Sequence, residues 1–352
     1  MMAWQDNVRN VVPYEPGEQP ECKNIIKLNT NENPYPPTDK VKNAIKNFDT
    51  DTLRLYPNPK AADLVRALAD YYQVEEEEVF VGVGSDDVIG MAFLTFFNSN
   101  KPILFPDITY SFYSVWADLY QIPYERPPLD DNFKLVKEDY YKENGGIIIP
   151  NPNAPTAVYE NLSVIEDIIS HNRDVVVIID EAYIDFAGKS SGELISKYDN
   201  LLVVQTYSKS RSMAGIRIGY AMGNKQLIHY LNAVKNSYNS YTMNRTAITA
   251  GVASLQDKEY FEFMIDKVIH TRERIKKELS QLGFTFTDSQ ANFIFASHRK
   301  VLAKDIFEAL RKEEIYVRYF DSKRIDNYLR ISIGTDQEMD LFIKALKQYL
   351  NM

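Results

Sequence analysis

Thr206-Tyr207-Ser208-Lys209-Ser210-Arg211-Ser212-Met213-Ala214-Gly215-Ile216-Arg217 follows an unbroken apolar run, Leu201-Leu202-Val203-Val204. Such a run, apolar and β-branched with no alternation, reads as a strand buried on both faces. The strand ends in hydroxyls and then a single lysine, with an arginine eight residues further on. Open α/β sheets place their ligands just beyond the carboxyl ends of parallel strands. Lys209 is therefore a candidate nucleophile, and Ser208 and Arg217 are candidate anion ligands beside it. A solvated basic loop is the alternative reading of this stretch taken alone.

Upstream, the same grammar repeats. Val79-Phe80-Val81 runs through Gly82-Val83-Gly84 into Ser85-Asp86-Asp87-Val88-Ile89, a strand, a glycine turn and a helix start. Free backbone N–H groups at such a start, near Ser85 and Asp86, suit an anion. The stretch lacks the third glycine of a dinucleotide fingerprint. Ile103-Leu104-Phe105 is a short strand, after which Tyr110 opens a helix at the expected sheet edge, where its ring can stack on a flat ligand. Gly146 to Pro150 is a strand closed by Asn151-Pro152-Asn153-Ala154-Pro155-Thr156, a rigid polar turn suited to a cis bond. Val175 to Ile179 is the strongest strand and ends in Asp180-Glu181-Ala182-Tyr183. A carboxylate closing a fully apolar strand is costly unless it has a task. Helices alternate with these strands, which predicts a mostly parallel sheet.

The flanking segments differ. Residues 1–37 are rich in proline and asparagine and read as an extended arm, with a short strand at Ile25-Ile26-Lys27-Leu28. Thr38 caps a helix over 39–47, and a second helix spans 61–72. Beyond a helical stretch over 225–255, broken near Tyr238 to Tyr241, the pattern changes. Helices at 258–281, 301–313 and 336–350 are interspersed with strands at 284–286, 292–295, 315–318 and 328–333. The expected division is an arm (1–37), a large cofactor-binding domain (38–240) and a small α+β domain (241–352).

Composition narrows the function classes. The net charge of −9 argues against a nucleic-acid partner. One cysteine, Cys22, excludes an intrachain disulfide and a cysteine-based zinc site, and the four histidines show no metal spacing. No apolar run reaches the roughly 18 residues of a membrane span. The N-terminus lacks the basic and apolar regions of a signal peptide, so the expected location is the cytoplasm.

Lys209, Asp180, Tyr183, Asn153 and the Gly84-Ser85 helix start follow different strands and converge at one sheet edge. Taken together, this sequence resembles the fold-type I pyridoxal phosphate aminotransferases from Asn33 to Arg330. The resemblance implies an α/β fold with a mostly parallel seven-stranded sheet, a smaller α+β domain and a homodimer. It implies pyridoxal 5′-phosphate as cofactor. Lys209 would attach the cofactor covalently and later move the proton at the substrate carbon. Asp180 would keep the ring nitrogen protonated and Tyr183 would bind the ring hydroxyl. Gly84, Ser85, Asp86 (through backbone amides), Thr206, Ser208 and Arg217 would hold the phosphate, and Tyr110 would stack on the ring. Tyr56 would reach the phosphate of the neighbouring subunit.

One departure stands out. The family's usual Asn-Pro-Thr-Gly turn reads Asn153-Ala154-Pro155-Thr156-Ala157, so the ring-hydroxyl contact would have to come from Asn153, one residue early. Within the family, the arm motifs around Tyr14 and Asn33, the Tyr56-Pro57 pair and the late arginines Arg318 and Arg330 are most similar to the histidinol-phosphate aminotransferases. That similarity implies glutamate and imidazole acetol phosphate as the exchanging pair. Arg330 and Arg318 would bind carboxylate and phosphate, with Tyr14 and Asn33 lining the same pocket. A threonine-phosphate decarboxylase or an aromatic aminotransferase would use the same cofactor residues. A nicotinamide-dependent oxidoreductase is a more distant alternative that leaves Lys209 unexplained.

Overall fold

The computed structural model describes residues 4–20 and 25–352; Cys22 and the first three residues lie outside them. The frame is a seven-stranded sheet. Its order is Val79–Gly82, Gly219–Gly223, Leu201–Thr206, Val177–Asp180, Ile147–Pro150, Ile103–Leu104 and Tyr124–Glu125. Only Gly219–Gly223 runs against its neighbours. The two-residue strand Tyr124–Glu125, which forms one end of the sheet, is too short for a periodicity to reveal. The strands read as continuous apolar runs because both faces are covered. Ile147, Ile149, Val177, Ile179, Leu201 and Val203 enter one core with Leu64, Leu68, Ile165 and Ile168. Ile148, Ile178, Leu202 and Val204 enter the other with Val88, Ile89, Phe93 and Leu231.

A second sheet, wholly antiparallel, has the order Arg318–Tyr319, Leu329–Ser332, Phe293–His298 and Phe284–Phe286. Its core holds Phe293, Ile294, Ile331, Phe342 and Ile275. The single strand expected over 315–318 is two. Ile315–Tyr316 pairs in parallel with Ile26–Lys27 of the arm, and Arg318–Tyr319 pairs with Leu329–Ser332. Buried Val317 separates them. The arm is therefore tied to the small sheet by backbone hydrogen bonds, extended by Leu28, whose carbonyl accepts from Ser332 N at 2.9 Å.

The helical stretch over 225–255 breaks as expected, into Lys225–Tyr238 and Arg245–Leu255. Ala247, Ile248, Ala250 and Ala253 of the second helix bury in the core of the large sheet. The expected boundary at 241 thus divides elements of one core, and the next helix, Lys258–Gln281, packs into the small-sheet core. Both Asn151-Pro152 and Ala154-Pro155 are cis. Among the described residues no helix is long and apolar enough to cross a membrane.

Candidate active site

The carboxyl ends of strands Val79–Gly82, Ile147–Pro150, Val177–Asp180 and Leu201–Thr206 converge on a cavity of about 170 Å³. Ser85, Asp86, Tyr110, Asp180, Tyr183, Thr206, Ser208, Lys209 and Arg217 all line it.

Strand Leu201–Thr206 delivers Thr206 and then turns. Thr206 Oγ1 accepts from Ser208 N at 3.1 Å and donates to Ile218 O at 3.2 Å. This local turn presents Ser208 and Lys209 to the cavity. Lys209 Nζ lies 5.7 Å from the centre of the Tyr183 ring and donates to Thr30 O at 3.2 Å.

Next to it lies an anion cradle. Gly84, at φ +88°, precedes helix Ser85–Phe96 and leaves its first N–H groups without a side-chain cap. A Cβ on Gly84 would sit 2.4 Å from Arg217 Nη2, and a Cβ on Gly219 would sit 2.2 Å from the Gly84 carbonyl carbon. Only glycine at both positions lets backbone and guanidinium approach this closely. Arg217 Nη2 is 3.2 Å from Asp86 Oδ2, and Tyr110 Oη donates to Asp86 Oδ1 at 2.9 Å. The carboxylate of Asp86 thus aims both the arginine and the tyrosine, a role beyond its backbone amide. Tyr110 lies just before helix Phe112–Tyr120, two residues earlier than a helix start there would require.

Asp180 is buried, and burial raises its pKa to about 6 against the lowering effect of its hydrogen bonds. Tyr113 Oη donates to Asp180 Oδ2 at 2.7 Å, and Ala182 N donates to Oδ1 at 3.2 Å. The next carboxylate, Glu181, points away from the cavity. It accepts from Ser191 N at 2.6 Å and Gln205 Nε2 at 2.9 Å, and burial raises it to about 7.

Of the expected ligands, Tyr14, Arg318 and Arg330, described below, lie outside this wall, as do Asn153 and Asn33, whose side chains are tied elsewhere. Asn153 is absent from the cavity wall, which Pro152 and Ala154 occupy. Its amide nitrogen donates to Ile108 O at 3.0 Å and Thr156 Oγ1 at 2.8 Å. Asn33 also lies outside the wall, its Nδ2 donating to Ser210 O at 3.1 Å and its Oδ1 accepting from Tyr35 N at 3.0 Å. It ties the arm to the lysine loop instead. Residues two and one positions earlier come closer. Asn31 Nδ2 donates to Tyr183 Oη at 2.9 Å, and Glu32 lines the cavity. The left-handed backbone of Asn31, φ +56°, turns its side chain inward, which the sequence does not announce. Tyr113 had a usable signal, lying three residues after Tyr110 and so within one helical turn of it.

The arginines meet across the small sheet. Arg318 and Arg330 are register partners, and Arg330 is half-buried beside Phe293 and Phe320, its guanidinium 5.5 and 5.6 Å from those rings. Arg330 donates to Asn29 O at 2.8 Å, while its Nε is buried without a partner. Burial holds its pKa below the ordinary guanidinium value, and Arg318 adds to that. Among the described residues neither arginine forms an ion pair. Tyr14 is brought over from the arm, stacks on Phe112 at 4.5 Å and feels the charges of Arg318 and Arg330. Arg211, in the lysine loop, belongs to the core: it is enclosed by Tyr71, Tyr207 and Phe261. Tyr56 lies outside its own chain's cavity, 78% exposed and stacked on Tyr241.

The donor set fits pyridoxal 5′-phosphate. There is an anion cradle closed to a Cβ, a lysine at its side, a buried carboxylate at the far wall and tyrosines between. The family model described as "Aminotransferase class I and II" matches residues 23–346. The chain belongs to this family. Like its other members, it takes pyridoxal phosphate. The chain is 52% identical to the histidinol-phosphate aminotransferase of Clostridium beijerinckii, across 99% of this chain and 97% of the relative. It is 53% identical to that of Lactococcus lactis subsp. lactis, across 99% and 97%. A solved histidinol-phosphate aminotransferase from Sinorhizobium meliloti, in complex with pyridoxal-5′-phosphate, superposes with a TM-score of 0.84 at 22% identity, over 93% of this chain and 91% of that one. At that identity the likeness concerns the fold alone.

Proposed function

We propose that this chain exchanges an amino group between glutamate and imidazole acetol phosphate, giving histidinol phosphate, and that it works as a cytoplasmic homodimer. The observation that carries the reading is the pair Arg318 and Arg330. Two guanidiniums in register, one of them half-buried with its Nε enclosed and neither neutralised, form a receptor for a substrate anion. The names of relatives above 50% identity supply histidinol phosphate as the amino substrate. Bound cofactor supplies an electron sink for the bonds at the substrate's amino carbon. Lys209 holds the cofactor and carries the proton, and Asp180 holds the ring nitrogen's proton. Tyr183, fixed by Asn31, meets the ring hydroxyl. Ser208, Arg217 and the Ser85–Asp86 amides hold the phosphate, with Tyr56 contributed by the partner subunit. Asn153 contributes through the turn it stabilises.

The test is a half-reaction. With cofactor-loaded protein, histidinol phosphate should abolish the bound cofactor's visible absorbance and 2-oxoglutarate should restore it. Lys209→Ala should show neither change. Carbon dioxide release from phosphothreonine, with no response to histidinol phosphate, would replace this reading by the decarboxylase.

A further inference from the structure

A second cavity of about 590 Å³, which Lys209 does not line, is lined in part by Pro59, Lys60, Lys235, Thr242 and Met243. Lys235, on helix Lys225–Tyr238, is 4% exposed. Among the described residues no carboxylate lies within ion-pair distance of it. Its ammonium donates instead to two carbonyls from separate loops, Pro59 O at 2.6 Å and Ser240 O at 3.4 Å. Burying a cation against neutral carbonyls is costly, and burial lowers its pKa accordingly. The arrangement serves the two loops it joins.

Those loops carry an aromatic pair. Tyr56 lies three residues before Pro59, and Tyr241 follows Ser240. Their rings stack with centroids 4.7 Å apart. A second cation grips the same loop from the other side: Arg245 donates to Tyr56 O at 2.8 Å and to Leu55 O at 3.2 Å. The Tyr56 backbone is thus pinned while its ring is 78% exposed, and among the described residues its hydroxyl has no hydrogen-bond partner. A tyrosine held by its backbone and presented outward is preorganised for a ligand outside its own chain.

We infer that Lys235, together with Arg245, is a positioning residue for Tyr56, clamping loop 55–59 to loop 240–241 so that the Tyr56 hydroxyl is fixed for the cofactor phosphate of the partner subunit. The inference rests on the reading of Tyr56 given above, but not on the identity of the amino substrate.

The test is a double-mutant cycle read as the dissociation constant of pyridoxal phosphate, measured by absorbance titration, with thermal midpoint and sedimentation in parallel. Tyr56→Phe and Lys235→Met should each weaken binding by roughly ten-fold, the scale of one hydrogen bond to a charged group. The double variant should be no weaker than Tyr56→Phe alone by more than about two-fold, because Lys235 acts through Tyr56. The dimer should persist. Additive losses near a hundred-fold would overturn the inference, as would a lowered midpoint with unchanged affinity. A Tyr56→Phe variant of normal affinity would overturn it too, since nothing would remain to position. Should Lys235→Met fail to fold, Arg245→Ala, at a half-buried helix start, takes its place in the same cycle with the same outcomes. The histidinol phosphate half-reaction of the unmodified protein is independent of all of these, so the two readings fail separately.

Discussion

Ala157 occupies the left-handed region, φ +61°, where the family's turn usually has glycine. A non-glycine residue there costs about 1–2 kcal/mol, part of which is offset because alanine restricts the unfolded chain. Ala157→Gly should therefore stabilise the protein by about 0.5–1 kcal/mol, seen as a higher urea midpoint with an unchanged slope. Arg330 is a second single-residue case. Its planar fork, set against the rings of Phe293 and Phe320, cannot be matched by an ammonium. Arg330→Lys should raise KM for both glutamate and histidinol phosphate by roughly ten-fold or more. An increase confined to one of the two would show that they use different anion receptors. The residue types at these positions were legible, and so was the departure from the family turn. The direction in which Asn153 and Asn33 point was not, because each side chain has several backbone partners within reach and only packing chooses among them.

The anion cradle belongs to elements rather than to residues. Strand Gly219–Gly223 runs so close to the start of helix Ser85–Phe96 that a Cβ on Gly219 would meet the backbone of Gly84 and Ser85 at 2.2 and 2.3 Å. Backbone cannot retreat as a flexible side chain can. Gly219→Ala should push the helix start away from Arg217, weakening pyridoxal phosphate at least about ten-fold and costing about 1–3 kcal/mol of stability. Equilibrium dialysis and thermal unfolding check the two effects. The long elements were legible because their apolar periods are unambiguous. Two-residue strands were legible only in part: Ile26–Lys27 and Ile103–Leu104 were read from their apolar residues, but Tyr124–Glu125 left no pattern, and one run over 315–318 concealed two strands with different partners.

At the scale of the molecule, burying Asp180 and Glu181 makes folding proton-linked. Their folded pKa values, about 6 and about 7, lie above the ordinary carboxylate value of about 4. The folded chain binds more protons than the unfolded chain between those limits, so their contribution to stability falls as pH rises through that window. On the proposed reading, bound cofactor would pair Asp180 with a protonated ring nitrogen and favour its ionised form, which would remove the Asp180 share. The thermal midpoint of cofactor-free protein should therefore drop more between about pH 4 and about pH 6 than that of cofactor-loaded protein, which should also be the higher of the two at saturating cofactor. Equal drops would show that Asp180 keeps its proton balance on binding.

The chain's own order determined which residues follow which strands. In a doubly wound sheet that suffices to bring Lys209, Asp180 and the Gly84 turn to one edge, because parallel strands share a carboxyl end. It also determined the chemistry, since a lysine, a strand-closing aspartate and paired late arginines are readable one at a time. Tertiary structure alone decided the contacts that join distant segments. Asn31 reaches Tyr183 across 152 positions, Lys235 reaches Pro59 across 176, and helix Arg245–Leu255 joins the large core rather than the small one. Periodicity fixes which face of an element is apolar, but not which of two cores will cover it. A polar side chain's partner is set by whatever backbone the fold carries past it.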